Sequence, residues 1–152
     1  MKNQKVRLSK KGEVRLDELL DLLKSSEDLR KCGAIVIFTG IVRGVGKNGS
    51  RVKLLSYEAY EEAALKSLDK IRKEVLQEIE GVHEIIINHV IDDLEVGEDT
   101  LHVLVAAEHR EEAFKAAKLV IDRLKKETPI WKKEITEKGS YWVQESDFGS
   151  PT

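Results

Sequence analysis

The decapeptide Gly33-Ala34-Ile35-Val36-Ile37-Phe38-Thr39-Gly40-Ile41-Val42 is almost continuously apolar and rich in β-branched side chains. Such a run is too short for a helical repeat and lacks strict alternation, so it reads as a buried strand. It opens into Arg43-Gly44-Val45-Gly46-Lys47-Asn48-Gly49-Ser50, a loop with three glycines and an Asn-Gly turn signal. Val52 to Tyr60 then alternates and is expected to return as the second arm of a long hairpin. Around this core, the period shifts between two and 3.6. Leu16, Leu19, Leu20 and Leu23 give a short helix over 16–24; Ala64, Leu68, Ile71, Val75 and Ile79 give a second over about 61–80, closed by Gly81. His83–Ile91 and Thr100–Ala107 read as strands around an acidic turn, Asp92 to Asp99. A third helix spans about 110–127 with Ala113, Phe114, Ala117, Val120, Ile121 and Leu124 inward, and Pro129 ends it. Trp131–Thr136 and Tyr141–Gln144 flank Lys138-Gly139 as a last hairpin. Residues 1–12 read as a short strand or a loose arm, and 146–152 as a tail. Hairpins alternating with helices make an α+β chain of mostly antiparallel strands, organised as one domain over 1–152.

Charge narrows the function. The 152 residues carry 26 Lys+Arg against 28 Asp+Glu, a net charge of -2. That balance argues against a duplex-DNA binder, which works by releasing counterions to a basic excess. Charged residues make up 36% of the chain, a density expected of thermophile surfaces, so most of the charge is read as solvated coating. No run approaches the roughly 18 apolar residues of a membrane span, and no apolar segment follows the polar N-terminus as in a signal peptide. Cys32 stands alone, and no Cys/His set has zinc spacing. The expectation is a cytoplasmic protein without metal, membrane or nucleic-acid partners.

Most standard catalytic signatures are missing. The Arg43–Ser50 glycines do not make a phosphate loop, there is no nucleophile elbow, and His83, His89, His102 and His109 are scattered. What remains is positional. Glu108-His109-Arg110 stands where the third helix begins, beside unpaired backbone N–H groups that suit an anion. The same helix ends at Lys125-Lys126, and Pro129 turns the chain into Trp131-Lys132-Lys133, so Lys125 and Lys132 are expected to share a pocket that Arg43 enters from its loop. Each cation also has a bland role, since a lysine at a helix C-terminus complements the dipole.

Six ordered pieces then carry a resemblance: Phe38-Thr39-Gly40-Ile41-Val42-Arg43, Leu55-Ser56-Tyr57-Glu58-Ala59-Tyr60, Asp93-Leu94-Glu95-Val96-Gly97-Glu98, Ala107-Glu108-His109-Arg110-Glu111-Glu112-Ala113-Phe114, Pro129-Ile130-Trp131-Lys132-Lys133-Glu134 and Trp142-Val143. Over about residues 13–147 the chain resembles the large, catalytic subunits of molybdopterin synthase. The resemblance implies an α/β-hammerhead fold. It also implies a sulfurtransferase that converts cyclic pyranopterin monophosphate (precursor Z) into molybdopterin. The two dithiolene sulfurs arrive as the C-terminal thiocarboxylate of a small ubiquitin-like carrier whose Gly-Gly tail enters the large subunit. No permanently bound cofactor is implied, and the large subunits pair as a homodimer within a heterotetramer. By the same resemblance Lys125 is the catalytic lysine and Lys132 shares its pocket. Ile41, Val42, Arg43, His109 and Arg110 are expected at the substrate, the last three on its phosphate, with Lys133 and Glu134 lining the site. Two positions depart from the pattern. Gln144-Glu145-Ser146 replaces an arginine thought to reach a neighbouring subunit's site, and His89-Val90-Ile91-Asp92 replaces His-Arg-Ile-Gly in a hairpin read as structural. The alternative is a non-catalytic module of the same fold that binds the carrier or a pterin.

Overall fold

The computed structural model describes residues 4–46 and 49–143. Eight strands and three α-helices follow in the order β1 (Val6–Ser9), α1 (Leu16–Lys24), β2 (Ala34–Ile41), β3 (Val52–Ala59), α2 (Glu61–Glu78), β4 (Val82–Val90), β5 (Asp93–Leu94), β6 (Asp99–Ala107), α3 (Arg110–Glu127), β7 (Ile130–Thr136) and β8 (Gly139–Val143). A short 3-10 helix, Glu27–Lys31, precedes β2.

Two four-stranded sheets result, ordered β1-β4-β6-β2 and β5-β3-β7-β8. All pairings are antiparallel except β1 with β4. In the first sheet, alternate residues face opposite ways because the side-chain period of a strand is two. Ile85, Ile87, Val103 and Val105 meet the apolar stripes of α2 and α3, led by Leu68, Ile71, Val75, Val120 and Leu124. Ile86, Leu104 and Ala106 meet Leu19 and Leu23 of α1 on the opposite face. A smaller core, Val42, Val52, Leu55, Val90 and Leu94, ties the two sheets together.

The helices fall where periodicity places them, and Gly81 closes α2 with a positive φ of 94° that other residues adopt only under strain. The β7–β8 hairpin forms around Lys138-Gly139. Of the two readings of residues 1–12 the strand holds, and three other expectations change. Residues 6–9 form a strand, because β4 offers them a parallel edge and buries Ser9. The long β2–β3 hairpin does not form: β2 pairs with β6 from Ala34↔Ala107 to Gly40↔Leu101, while β3 pairs with β5 and β7 in the other sheet. The register with β6 shifts between Gly40 and Ile41, but Ile41 still faces Asp99 and Val42 still bonds Glu98 and Gly97, so the chain leaves the first sheet only after Val42. Consequently β2 is an edge strand, with Ile37 and Ile41 exposed, and not the fully buried strand its composition suggests. Finally, Phe114 points outward at 64% exposure and Ala116 takes the inward place. The stripe set by Ala113, Ala117, Val120 and Leu124 leaves Phe114 about 100° off its centre.

The acidic turn also contains more than expected: within it, β5 pairs Leu94 with Leu55 of β3. Lys47, Asn48, the 146–152 tail and the departure at Gln144-Glu145-Ser146 lie outside the described residues. Among the described residues, no helix is long and apolar enough to cross a membrane.

Candidate active site

The junction of the two sheets encloses a cavity of about 560 Å³, bounded by the C-terminal half of β2, the end of α3, β3 and β7. Local rules deliver the side chains that matter. Lys125 occupies the last turn of α3, where a cation faces the negative end of the helix dipole. Pro129 then turns the chain directly into β7, and the period of two places Lys132 and Glu134 on one face of that strand. Arg43 follows β2 once Val42 has been fixed by two backbone bonds, its N–H to the Glu98 carbonyl and its carbonyl to the Gly97 N–H. Arg43, Lys125, Lys132 and Glu134 all line the cavity.

The other expected residues divide. Ile41 lines the cavity while remaining 57% exposed. Val42 is buried in the core between the sheets and does not line it. Lys133 projects from the opposite face of β7, its ammonium 5.5 Å from the centroid of the Trp142 ring. His109 and Arg110 sit at the start of α3 and do not reach the cavity of their own chain. Fifteen helical steps separate Arg110 from Lys125, about 22 Å at 1.5 Å per residue. There His109 is pinned by Glu112, whose Oε2 accepts from the His109 backbone N–H and lies 3.2 Å from its Nδ1. Arg110 is exposed beside Glu111.

Sequence reasoning missed several groups in the cavity. Tyr57, the register partner of Lys132, lines it, as does His89 of β4. Their rings meet edge to face with centroids 5.0 Å apart. Trp131, almost fully buried, also contributes to the wall and stacks edge-on against exposed Tyr60. The signal for His89 was its place in an apolar strand, on the face that carries Ile85 and Ile87. Tyr141 was missed as well: its hydroxyl donates to Glu134, and that hydrogen bond, reinforced by burial and the carboxylate charge, holds the phenol above its ordinary pKa.

Three cations and one carboxylate therefore surround a cavity walled by aromatic and aliphatic groups. That arrangement suits a planar, anionic substrate together with a second anion. Among the described residues, no set of three His, Cys, Asp or Glu is grouped to hold a metal ion.

Comparison with known proteins decides the family. A family model described as MoaE protein matches residues 10–127. The chain belongs to the MoaE family. It is 43% identical over 145 residues to the molybdopterin synthase catalytic subunit of Pyrococcus abyssi, covering 95% of this chain and 94% of that protein. The structure of molybdopterin synthase from Staphylococcus aureus superposes with a TM-score of 0.80 at 33% identity, over 95% of this chain and 98% of that one. A complex of subunits 1 and 2 of molybdopterin-converting factor from Helicobacter pylori shares the fold, with a TM-score of 0.71 at 22% identity over 93% and 92% of the two chains. The matched MoaE segment contains Arg43 and Lys125 but stops before β7. Lys132 and Glu134 lie beyond the matched segment and enter the cavity through the turn at Pro129.

Proposed function

We propose that this MoaE-family chain is the catalytic subunit of a molybdopterin synthase, a sulfurtransferase of molybdenum cofactor biosynthesis acting in the cytoplasm. The observation that carries the reading is the convergence of Arg43, Lys125 and Lys132 in one cavity with Glu134. A docking module would not need three cations inside a pocket. A pterin phosphate and a carrier's thiocarboxylate are both anions, and each gains charge-assisted hydrogen bonds there. The sulfur donor is the partner's thiocarboxylate, so the reaction calls for no resident cofactor. Lys125 and Lys132 neutralise that thiocarboxylate as its sulfur attacks a pterin carbon, and they supply protons to the oxygens displaced. The sulfur is then bonded to both pterin and carrier, and water must cleave the acyl–sulfur bond to release the carrier as a carboxylate.

His109 and Arg110 enter this reading through a second copy of the chain. Because β2 is an edge strand, it offers unpaired backbone groups that a two-fold axis can satisfy with the same strand of a partner. α3 follows the direction of β2: Gly33 lies at the Ala107 end, where α3 starts, and Phe38 to Ile41 line the cavity with Lys125, where it ends. Antiparallel β2–β2 pairing sets the start of one α3 beside the end of the other. His109 and Arg110 of one copy then face the cavity of its partner and take the phosphate with Arg43. Exposed Ile37, Ile41 and Phe114 are apolar surface that such a dimer would cover. One carrier on each protomer completes a heterotetramer, its Gly-Gly tail entering the cavity extended, as a segment without side chains can.

The deciding experiment mixes the purified chain, a thiocarboxylated small ubiquitin-like carrier and precursor Z, and weighs the pterin product by mass spectrometry. Addition of two sulfurs is expected. Carrier binding without sulfur transfer would leave the non-catalytic module as the better reading.

A further inference from the structure

One buried imidazole in the cavity is used by none of the roles above. His89 is 5% exposed and stands on β4, an inner strand of the first sheet, so its backbone is fixed on both sides by β1 and β6. Its Nδ1 lies 3.0 Å from the carbonyl oxygen of Val90. A carbonyl only accepts, so Nδ1 carries the hydrogen of the neutral ring and Nε2 is the basic nitrogen. The edge-to-face contact with Tyr57, at 65° between ring planes, sets the orientation of the imidazole. The charged and titratable groups lining the same cavity are Arg43, Lys125, Lys132, Glu134 and Tyr57. Lys125 and Lys132 already serve the first step as proton donors, and the Glu134 carboxylate receives the Tyr141 hydroxyl. Among the described lining residues, His89 is the one imidazole, the group whose neutral form suits proton abstraction from water near pH 7.

We infer that His89 is a further catalytic residue, the general base that activates water to cleave the acyl–sulfur bond joining carrier to pterin after each transfer. This rests on the function proposed above. In the step, water oxygen adds to the acyl carbon while its proton passes to Nε2. The acyl carbon–sulfur bond then breaks, and the sulfur departs with its electron pair as a pterin thiolate. The imidazolium returns the proton to that sulfur, and the new carboxylic acid loses its own proton to solvent. Cations from Lys125 and Lys132 steady the oxyanion formed on the acyl carbon.

The test is a single-turnover reaction of the full chain with thiocarboxylated carrier and precursor Z, quenched at intervals and weighed intact. In His89→Gln, carbon–sulfur bond formation should proceed as in the wild type. Hydrolysis should slow by about 10²-fold or more, so a covalent carrier–pterin adduct accumulates. In His89→Ala, added imidazole should restore hydrolysis in proportion to its neutral form, a response that a packing role for His89 would not give. Wild-type turnover in His89→Gln overturns the inference. So does a slowed variant that builds no adduct while His89→Ala ignores imidazole. A wild-type chain that transfers no sulfur fells the proposed function itself, and this step with it.

Discussion

Tyr141 gives its hydroxyl hydrogen to Glu134 Oε1 across the β7–β8 hairpin, at 2.5 Å. The backbone of Gly46 presses on the same carboxylate, and a Cβ there would collide with it. Glu134 is thus held between a phenol and a glycine, buried at 7% exposure while still lining the cavity. Tyr141→Phe removes this donor without changing the hairpin. It is expected to lower kcat/KM by about tenfold, the order of one hydrogen bond to a charged group, with an unchanged melting temperature. Gly46→Ala should cost more activity, because it displaces the carboxylate instead of releasing it. Steady-state kinetics on both variants decide this, and equal activity in all three proteins would remove Glu134 from the site.

Lys125 is exposed on the last turn of α3, so its truncation leaves the packing of that helix intact. Lys125→Ala is expected to reduce molybdopterin formation by about 10³-fold, in the range of a lost proton-transfer group. Thermal unfolding should shift by no more than about 0.5 kcal/mol in stability. A variant that turns over normally would take Lys125 out of the chemistry.

The proposed division of one site between two chains has a sharper test. Lys125→Ala and Arg110→Ala should each be inactive alone. Mixed after brief dissociation, half of the dimers are hybrids, and each hybrid restores one intact site from two damaged chains. Activity of about a quarter of the wild-type value is expected from this two-fold arithmetic. If Arg110 served its own chain's cavity, the mixture would stay inactive.

Acid should weaken the fold in two stages. Burial holds the His102 imidazole below its ordinary 6.5, with Asp99 pulling the other way. An unfolded histidine takes up its proton first, so this stability is full above pH 6.5 and is lost as pH falls toward the lower folded value. Burial alone would raise the Glu84 carboxyl, but hydrogen bonds from Arg72 and Lys5 outweigh it and hold the group below its ordinary 4.5. That contribution is present above pH 4.5 and disappears as pH drops through the folded value. Glu84→Gln leaves two buried or half-buried cations without a counter-charge. At pH 7 it should cost about 3 kcal/mol and lower the melting temperature by about 10 °C. Melting curves at a series of pH values should lose the upper limb in His102→Gln and the lower limb in Glu84→Gln.

The sequence alone determined whatever is local. Leucines at 16, 19, 20 and 23 define α1, since a helix is closed by hydrogen bonds four residues apart and its apolar stripe is written at that spacing. The same holds for α2, for the body of α3 and for the β7–β8 hairpin, whose turn glycine sits at φ 131°. Lys125 and Lys132 could be brought together on paper because only a proline turn separates their elements. Tertiary structure decided which strand each strand meets. Backbone donors and acceptors are the same in every residue, so nothing in the β2 sequence distinguishes β3, which follows it, from β6, which lies about 60 residues on. That one choice makes β2 an edge, opens the cavity between the sheets and sends His89 and Tyr57 into it. It also leaves His109 and Arg110 a whole helix away from Lys125. Periodicity states how much apolar surface an element must bury; only the packed molecule selects the surface that covers it.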